Sequence, residues 1–201
     1  FAYNRDFAEG MATSIRCGLA ALRQDLDAVI VLLADMPRFT AEEVDRLELS
    51  LEVFEALLAR VAEHCPQWRG FGLAMQAYQT RALELIEHLT ALARRYRVRL
   101  MCRLVKGAYW DAEVKRAQEL GLPGYPVFTH KHHTDISYLA CARALLDAPD
   151  AIYPQFATHN AGTIAAILQM GAKTGAAFEL QRLHGMGEGV YREVLKNPLV
   201  S

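Results

Sequence analysis

The sequence predicts an α/β fold in which parallel strands alternate with helices. Apolar runs of strand length recur along its 201 residues, and each is followed by apolar residues at helical spacing. Small and polar residues gather where each run gives way to the next helix. Strict strand–helix alternation implies parallel pairing through right-handed crossovers.

Taken in order, Met11 to Asp25 predicts a helix and Ala28-Val-Ile-Val-Leu-Leu-Ala34 a first strand. Thr40 is placed to cap a long helix reaching about His64, with Glu42 and Glu43 in its first turn, where the helix dipole favours acidic groups. Pro66, Gly70 and Gly72 break that helix. Phe71 to Gln76 predicts a second strand, and Arg81 to Tyr96 a helix with Leu83, Leu85, Ile86, Leu89 and Leu92 on its apolar face. Val98 to Val105 is the third strand, and Asp111 to Leu120 a helix stopped by Gly121-Leu-Pro-Gly124. A loop precedes the helix Asp135 to Leu146. Tyr153 to Ala157, Gly162 to Met170, Ala177 to Leu183 and Glu188 to Lys196 complete the pattern as strand, helix, strand, helix. Five strands do not close an eight-stranded barrel, so an open sheet and part of a barrel both fit.

With 52% hydrophobic and 22% charged residues the chain is long enough to bury a sizeable core. A formal net charge of -1 gives no electrostatic reason to expect nucleic acid or an anionic membrane as partner. No apolar run has the length of a membrane span, and no secretory signal is read. Cys17, Cys65, Cys102 and Cys141 lie far apart, so reduced thiols in a cytoplasmic protein are expected. Because the sequence opens on Phe1 and closes at Ser201 soon after a helix, it is expected to be a piece of something longer.

The most telling stretch is Arg103-Leu-Val-Lys106-Gly-Ala-Tyr109-Trp110-Asp111, where a buried strand turns into a helix. Ligands of parallel α/β folds sit at the carboxyl ends of strands. Gly107 and Ala108 would let a flat ligand approach the backbone, Arg103 and Lys106 would supply charge, and Tyr109 and Trp110 would supply stacking surface. A strand with a snorkelling lysine and two packing aromatics accounts for the same residues. Other strand ends carry Asp35, Gln76 with Tyr78, Thr158-His159-Asn160, and Gln181 with His184-Gly-Met-Gly187. Ordinary βα turns explain Asn160, Gly185 and a lone His159 well. They explain Gln76 and Gln181 less well, because an amide at a buried strand end must find partners.

His130, Lys131, His132 and His133 are expected in a basic loop facing phosphate or solvent, since no carboxylate or cysteine at ligand spacing points to a metal. Asp111 and Glu113 are expected as surface groups early in a helix. No nucleophile elbow, P-loop or dinucleotide fingerprint is present. Chemistry on such a face would therefore call for an organic cofactor.

From about Asp45 to the C-terminus the chain resembles the proline dehydrogenase domain of bacterial proline utilization proteins. The resemblance lies in Gly72-Leu-Ala-Met-Gln-Ala-Tyr78, the Arg103–Asp111 stretch, Thr134-Asp-Ile-Ser-Tyr-Leu-Ala-Cys141, Tyr153-Pro-Gln-Phe-Ala-Thr-His-Asn-Ala161 and Leu183-His-Gly-Met-Gly-Glu188. It implies part of a (β/α)8 barrel of about four βα units, holding FAD and oxidising L-proline to pyrroline-5-carboxylate. By the same resemblance Arg103 and Gln76 contact the flavin ring, and Lys106, Gly107, Ala108 and Trp110 line the cofactor. Thr129, His130 and Lys131 approach its phosphates, with His130 where the family has arginine. Thr158, His159, Asn160 and Gln181 also contact the cofactor. Tyr109 and Leu183 meet proline, so the catalytic face comprises Arg103, Lys106 and Tyr109. The family's arginine pair for the proline carboxylate, and a lysine and an aspartate of the first barrel strands, are not found. A truncated enzyme is therefore expected. A part-barrel exposes sheet edges, which favours self-association.

Residues 1–47 resemble a fragment of a molybdenum-cofactor cytidylyltransferase. The resemblance rests on Asn4-Arg-Asp-Phe-Ala-Glu-Gly-Met-Ala-Thr-Ser14, Ile15 to Leu22, and Asp27 to Pro37. It implies a magnesium-holding role for Asp35 and a nucleotide-facing helix start at Gly10, Ser14 and Gly18. The expected organisation is thus a chimera, with one doubly wound αβ unit over residues 1–47 ahead of a part-barrel over residues 48–201, packed as one α/β unit. Two further readings stand beside the dehydrogenase: a recombined scaffold without catalysis, and a remnant that binds CTP and magnesium.

Overall fold

The computed structural model describes the main chain of residues 41–197, with side chains from residue 50 onward. The predicted helix Met11–Asp25, the strand Ala28–Ala34 and the residues Gly10, Ser14, Gly18 and Asp35 lie outside the described residues. The elements in order are α1 (Ala41–His64), β1 (Gly72–Gln76), α2 (Ala82–Tyr96), β2 (Leu100–Val105), α3 (Trp110–Glu119), α4 (Lys131–Leu146), β3 (Ile152–Ala157), α5 (Ala161–Thr174), β4 (Glu179–Gln181) and α6 (Glu188–Val194).

The four strands form one parallel sheet in the order β1-β2-β3-β4. Each crossover steps in the same direction, and right-handed connections then place every helix on one face. A doubly wound sheet reverses direction and covers both faces. The singly wound order is that of a barrel wall, so these are four βα units of a partial (β/α)8 barrel.

Strand alternation separates the two faces. Leu100, Cys102, Leu104, Ile152 and Phe156 point to the helices and are fully buried in one core with Ile86 and Leu89 of α2 and Tyr138, Cys141 and Leu145 of α4. Truncating any of these large side chains to alanine would cost about 2–5 kcal/mol. The opposite face carries Gly72, Ala74 and Gln76, then Met101, Arg103 and Val105, then Tyr153, Gln155 and Ala157, and Glu179 with Gln181, all half-buried. α1 packs by Phe54 and Leu58, with the Phe54 ring stacked 5.2 Å from that of Phe71.

Two expectations change. Leu83, placed on the apolar face of α2, is 41% exposed, whereas Ala82, Ile86, Leu89 and Ala93 are buried. At 3.6 residues per turn Leu83 sits about 100° round from Ala82, off the buried stripe. The histidine-rich segment expected as a loop is the first turn of α4, with His130 at the N-cap position. An i,i+4 ion pair between Lys131 and Asp135 (Nζ to Oδ2, 2.6 Å) bridges that turn, which contains no glycine or proline to break it.

Candidate functional site

The carboxyl ends of the strands open onto a cleft of about 650 Å³ lined by Ala74, Gln76, Arg103, Val105, Lys106, Gly107, Ala108, Tyr109, Lys131, Ala157, Thr158, His159, Asn160, Gln181, Arg182 and Leu183. A second cleft of about 370 Å³ adjoins it and shares Lys106, Gly107 and Lys131, with Tyr78, Trp110, Thr129, Thr134 and Asp135 completing its wall. Both volumes are in the range of small-molecule sites.

The floor is the open sheet face. Arg103, half-buried on β2, donates from Nε to Gln181 Oε1 at 2.8 Å. Its terminal nitrogens donate to no described residue and are left for the cleft. Gln76 Oε1 accepts the Ala108 N–H at 3.3 Å, so the β1 amide meets the turn after β2. That turn is held by Ala77 N–H to Val105 O and Tyr78 N–H to Lys106 O, both 2.8 Å. Gly107 lies at φ +140° with the Tyr78 ring where a Cβ would project, well inside contact distance, so only glycine fits.

Charge gathers on the shared wall. Lys106 Nζ pairs with Asp135 Oδ1, and Lys131 reaches the other oxygen of the same carboxylate. The Lys106 hydrogen bond, then that of Lys131, holds the Asp135 carboxyl below the usual range. Two lysines against one carboxylate leave this wall net positive. Trp110 donates from Nε1 to Phe128 O at 2.8 Å, which turns the indole across the second cleft.

The far wall follows β3. Asn160 caps α5, its Oδ1 accepting Thr163 N–H at 2.9 Å, which agrees with the ordinary-turn reading. His159 Nε2 accepts the Leu183 N–H at 3.0 Å, so the ring joins the β3 and β4 loops. Leu183 itself is 58% exposed at the cleft.

Of the residues singled out from sequence, Gln76, Arg103, Lys106, Gly107, Ala108, Tyr109, Lys131, Thr158, His159, Asn160, Gln181 and Leu183 share the main cleft, while Trp110 and Thr129 line the second. His130 lines neither and stacks on His132 at 5.4 Å between centroids. Glu113, expected at the surface, is 2% exposed, because its position on α3 faces inward beside Tyr78. Among the described residues no group of three or more histidines, cysteines and carboxylates is arranged to hold a metal.

Sequence reasoning missed Asp135, which pairs both lysines, and Gln155 with Glu179, which join Gln181 on the sheet face. The two-residue alternation Tyr153, Gln155, Ala157 and Glu179, Gln181 was the signal that could have found the latter pair.

Residues 9–200 match the sequence model of the family described as Proline dehydrogenase. The chain belongs to the proline dehydrogenase family. Among curated proteins, the bifunctional protein PutA of Klebsiella aerogenes is 55% identical over 157 residues, which are 77% of this chain and 12% of that protein. PutA of Rhizobium meliloti is 50% identical over 157 residues, 77% of this chain and 13% of that protein. The chain therefore spans only about an eighth of the length of these family members. A solved structure of proline utilization A with proline bound in remote sites superposes with a TM-score of 0.70 at 58% identity, covering 76% of this chain and 15% of that one. Proline utilization A from Bdellovibrio bacteriovorus inactivated by N-propargylglycine gives a TM-score of 0.66 at 35% identity over 74% of this chain and 16% of that one.

Proposed function

We propose that the two clefts form the cofactor-binding part of an FAD-dependent proline dehydrogenase. The observation that carries this reading is Arg103, which presents unused donors to a cleft whose wall is the glycine cradle at Gly107 and Ala108. When bound, FAD supplies the two-electron acceptor for oxidation of L-proline to pyrroline-5-carboxylate.

The residues present fit such a group. Gly107 and Ala108 line the cleft with no side chain larger than a methyl group, so a planar ring can lie near the main chain. Arg103 and Gln76 offer hydrogen-bonding groups on the floor, and a fixed cation there favours an electron-rich partner. Lys106 and Lys131 give the shared wall positive charge suited to phosphate, with Thr129 and Trp110 beside them. Thr158, His159, Asn160 and Gln181 form the opposite wall, while Tyr109 and Leu183 stand at the mouth as the apolar flank for proline. Holding substrate against the acceptor is the main service such a scaffold gives.

The test is a visible absorption spectrum after the purified chain has been mixed with FAD and desalted. Retained flavin bands that bleach anaerobically with proline are expected of a working site. Retained bands that proline does not bleach would leave a cofactor site without turnover. A folded, colourless chain would sink the cofactor reading and favour the scaffold.

The division at residue 47 belongs to this proposal as well. The two curated relatives above cover 77% of the chain, whereas the family match begins at residue 9, so residues 9–47 carry two readings. Thermal stabilisation by CTP with magnesium would favour the nucleotidyltransferase-like reading. Self-association through the sheet edges is tested by sedimentation. Among the described residues no helix is long and apolar enough to cross a membrane.

A further inference from the structure

Four side chains on the open sheet face are joined in one hydrogen-bonded chain. Arg103 Nε donates to Gln181 Oε1 at 2.8 Å, Gln181 Nε2 donates to Glu179 Oε1 at 2.5 Å, and Gln155 Nε2 donates to the same oxygen at 3.1 Å. Strand register sets Arg103, Gln155 and Glu179 in one row across β2, β3 and β4, with Gln181 in the next row. All four are half-buried.

The direction of this chain follows from Glu179. An ionised carboxylate accepts hydrogen bonds and donates none. Each glutamine must therefore turn its NH2 group toward Glu179. Gln181 then has its carbonyl oxygen facing the other way, where it needs a donor, and Arg103 Nε–H is that donor. Because a guanidinium is planar, fixing Nε fixes the plane of the whole group and the direction of its two terminal nitrogens.

We propose that Glu179 is a positioning residue which, acting through Gln181, sets the orientation of Arg103 in the cleft, with Gln155 as the second tether of the carboxylate. Glu179 touches no ligand in this scheme. Its effect on a bound cofactor rests on the reading of the cleft given above, but the orientation of Arg103 is a property of the chain alone.

An amide at position 179 would remove the constraint. An amide both donates and accepts, so Gln181 could turn its NH2 group toward Arg103, where two donors would meet. Moving the carboxylate to position 155 at the same time would restore the direction. The amide at position 179 would then give its NH2 group to the carboxylate at position 155 and its oxygen to Gln181, whose own oxygen would again face Arg103.

The test uses the full 15N-labelled chain without cofactor and follows exchange of the Arg103 Nε–H with water by NMR, the signal being identified by its absence in Arg103→Lys. In the unaltered chain this proton is expected to be protected. Glu179→Gln is expected to lower the protection at least about tenfold, the scale of a hydrogen bond to a charged group. Gln155→Glu combined with Glu179→Gln is expected to restore it, which a purely packing role of Glu179 would not do. Exchange as fast as that of exposed arginines in the unaltered chain would overturn the proposal. So would protection that persists in a folded Glu179→Gln chain, or that stays lost in a folded double variant. If Glu179→Gln does not fold, Glu179→Met decides, since it removes the acceptor of both glutamine NH2 groups and leaves Gln181 in place: protection lost supports the relay and protection kept overturns it. Failure of proline to bleach a flavin would count against the enzyme reading and leave this measurement untouched.

Discussion

The hydroxyl of Tyr191 on α6 donates to the carbonyl oxygen of Thr158 at the end of β3, at 2.8 Å. The same proton is shared with Gln181 O on β4 at 2.7 Å. Thr158 N–H closes the seam by donating to Gln181 O at 3.2 Å. Burial, the largest influence on Tyr191, raises its pKa, so the phenol keeps its proton at neutral pH and acts as donor. Tyr138 does the same at the previous seam, reaching Leu104 O and Ala157 O at 3.3 and 3.4 Å. Each tyrosine closes a pair of strand ends just where cleft residues leave the sheet.

Tyr191→Phe is therefore expected to destabilise the chain by about 1–2 kcal/mol, since the buried Thr158 carbonyl and the half-buried Gln181 carbonyl lose their shared donor and only Gln181 O keeps another, the Thr158 N–H. A urea unfolding midpoint checks it. An unchanged midpoint would show that the contact contributes nothing net. Tyr138→Phe should cost less, because its two contacts are longer.

Much of the architecture was legible because strands and helices carry different periods. β1, β2 and β3 agree with the expected strands within two residues at each end, and Gln76, Arg103 and Gln181 are placed toward strand ends by apolar runs that give way to helical spacing. Legibility failed where a local pattern carries no period. Glu113 reads as a first-turn surface acid, and only the packing of the Tyr78 turn against α3 buries it. α4 begins four residues before the expected start at Asp135, because the histidine-rich segment that reads as a loop is helical, and Asp135 binds two lysines. Gln155 lies in the Tyr153–Ala161 stretch but carries no role there, and Glu179 belongs to no motif. Their meaning comes from the strand register that sets them beside Gln181.

The cysteines offer a check on the core. Cys102 is fully buried on β2, and burial pushes its thiol up to about 12, so it holds almost no thiolate at neutral pH. Cys141 is also fully buried, and burial raises it with partial opposition from Ser137. Cys65 is exposed. Brief treatment of the native chain with iodoacetamide, read peptide by peptide in a mass spectrometer, should modify Cys65 and spare Cys102 and Cys141 until urea unfolds the sheet. Labelling of Cys102 at the rate of Cys65 would contradict the packing of β2 against α4.

Asp135 gives the stability a pH signature. Its pKa in the folded chain is lowered below the ordinary 3.8, first by Lys106 and then by Lys131. A lowered carboxyl pKa stabilises the fold fully above the ordinary value, and that contribution disappears as pH falls through the folded value. Asp135→Asn lacks it at every pH. The melting temperatures of the two chains should thus differ by a constant amount above about pH 5, draw together below about pH 4, and meet at lower pH. The pair is partly screened by solvent, so the gap should be about 1 kcal/mol or less. A gap that widens on acidification would refute the assignment.

Gly107 is where the backbone itself shapes the cleft, and a graded glycine series isolates the reason. Gly124 has open space at its Cβ position and no positive φ, so Gly124→Ala should be close to neutral. Gly121 has φ +62° and open space, so alanine there meets only the left-handed penalty of about 1–2 kcal/mol. Gly107 combines φ +140° with the Tyr78 ring inside contact distance of an added Cβ. Tyr78 is 2% exposed and bound through its own N–H to Lys106 O, so the ring has nowhere to retreat. Gly107→Ala should then cost about 3 kcal/mol or more, combining backbone strain with overpacking. It should also displace Ala108 N–H from Gln76 Oε1, and with it the cradle proposed for the cofactor. Urea midpoints for the three variants, together with the amount of flavin kept after desalting, make the comparison. If Gly107→Ala matched Gly121→Ala in both, the Tyr78 contact would not be what reserves position 107 for glycine, and the cradle would owe its shape to the turn alone.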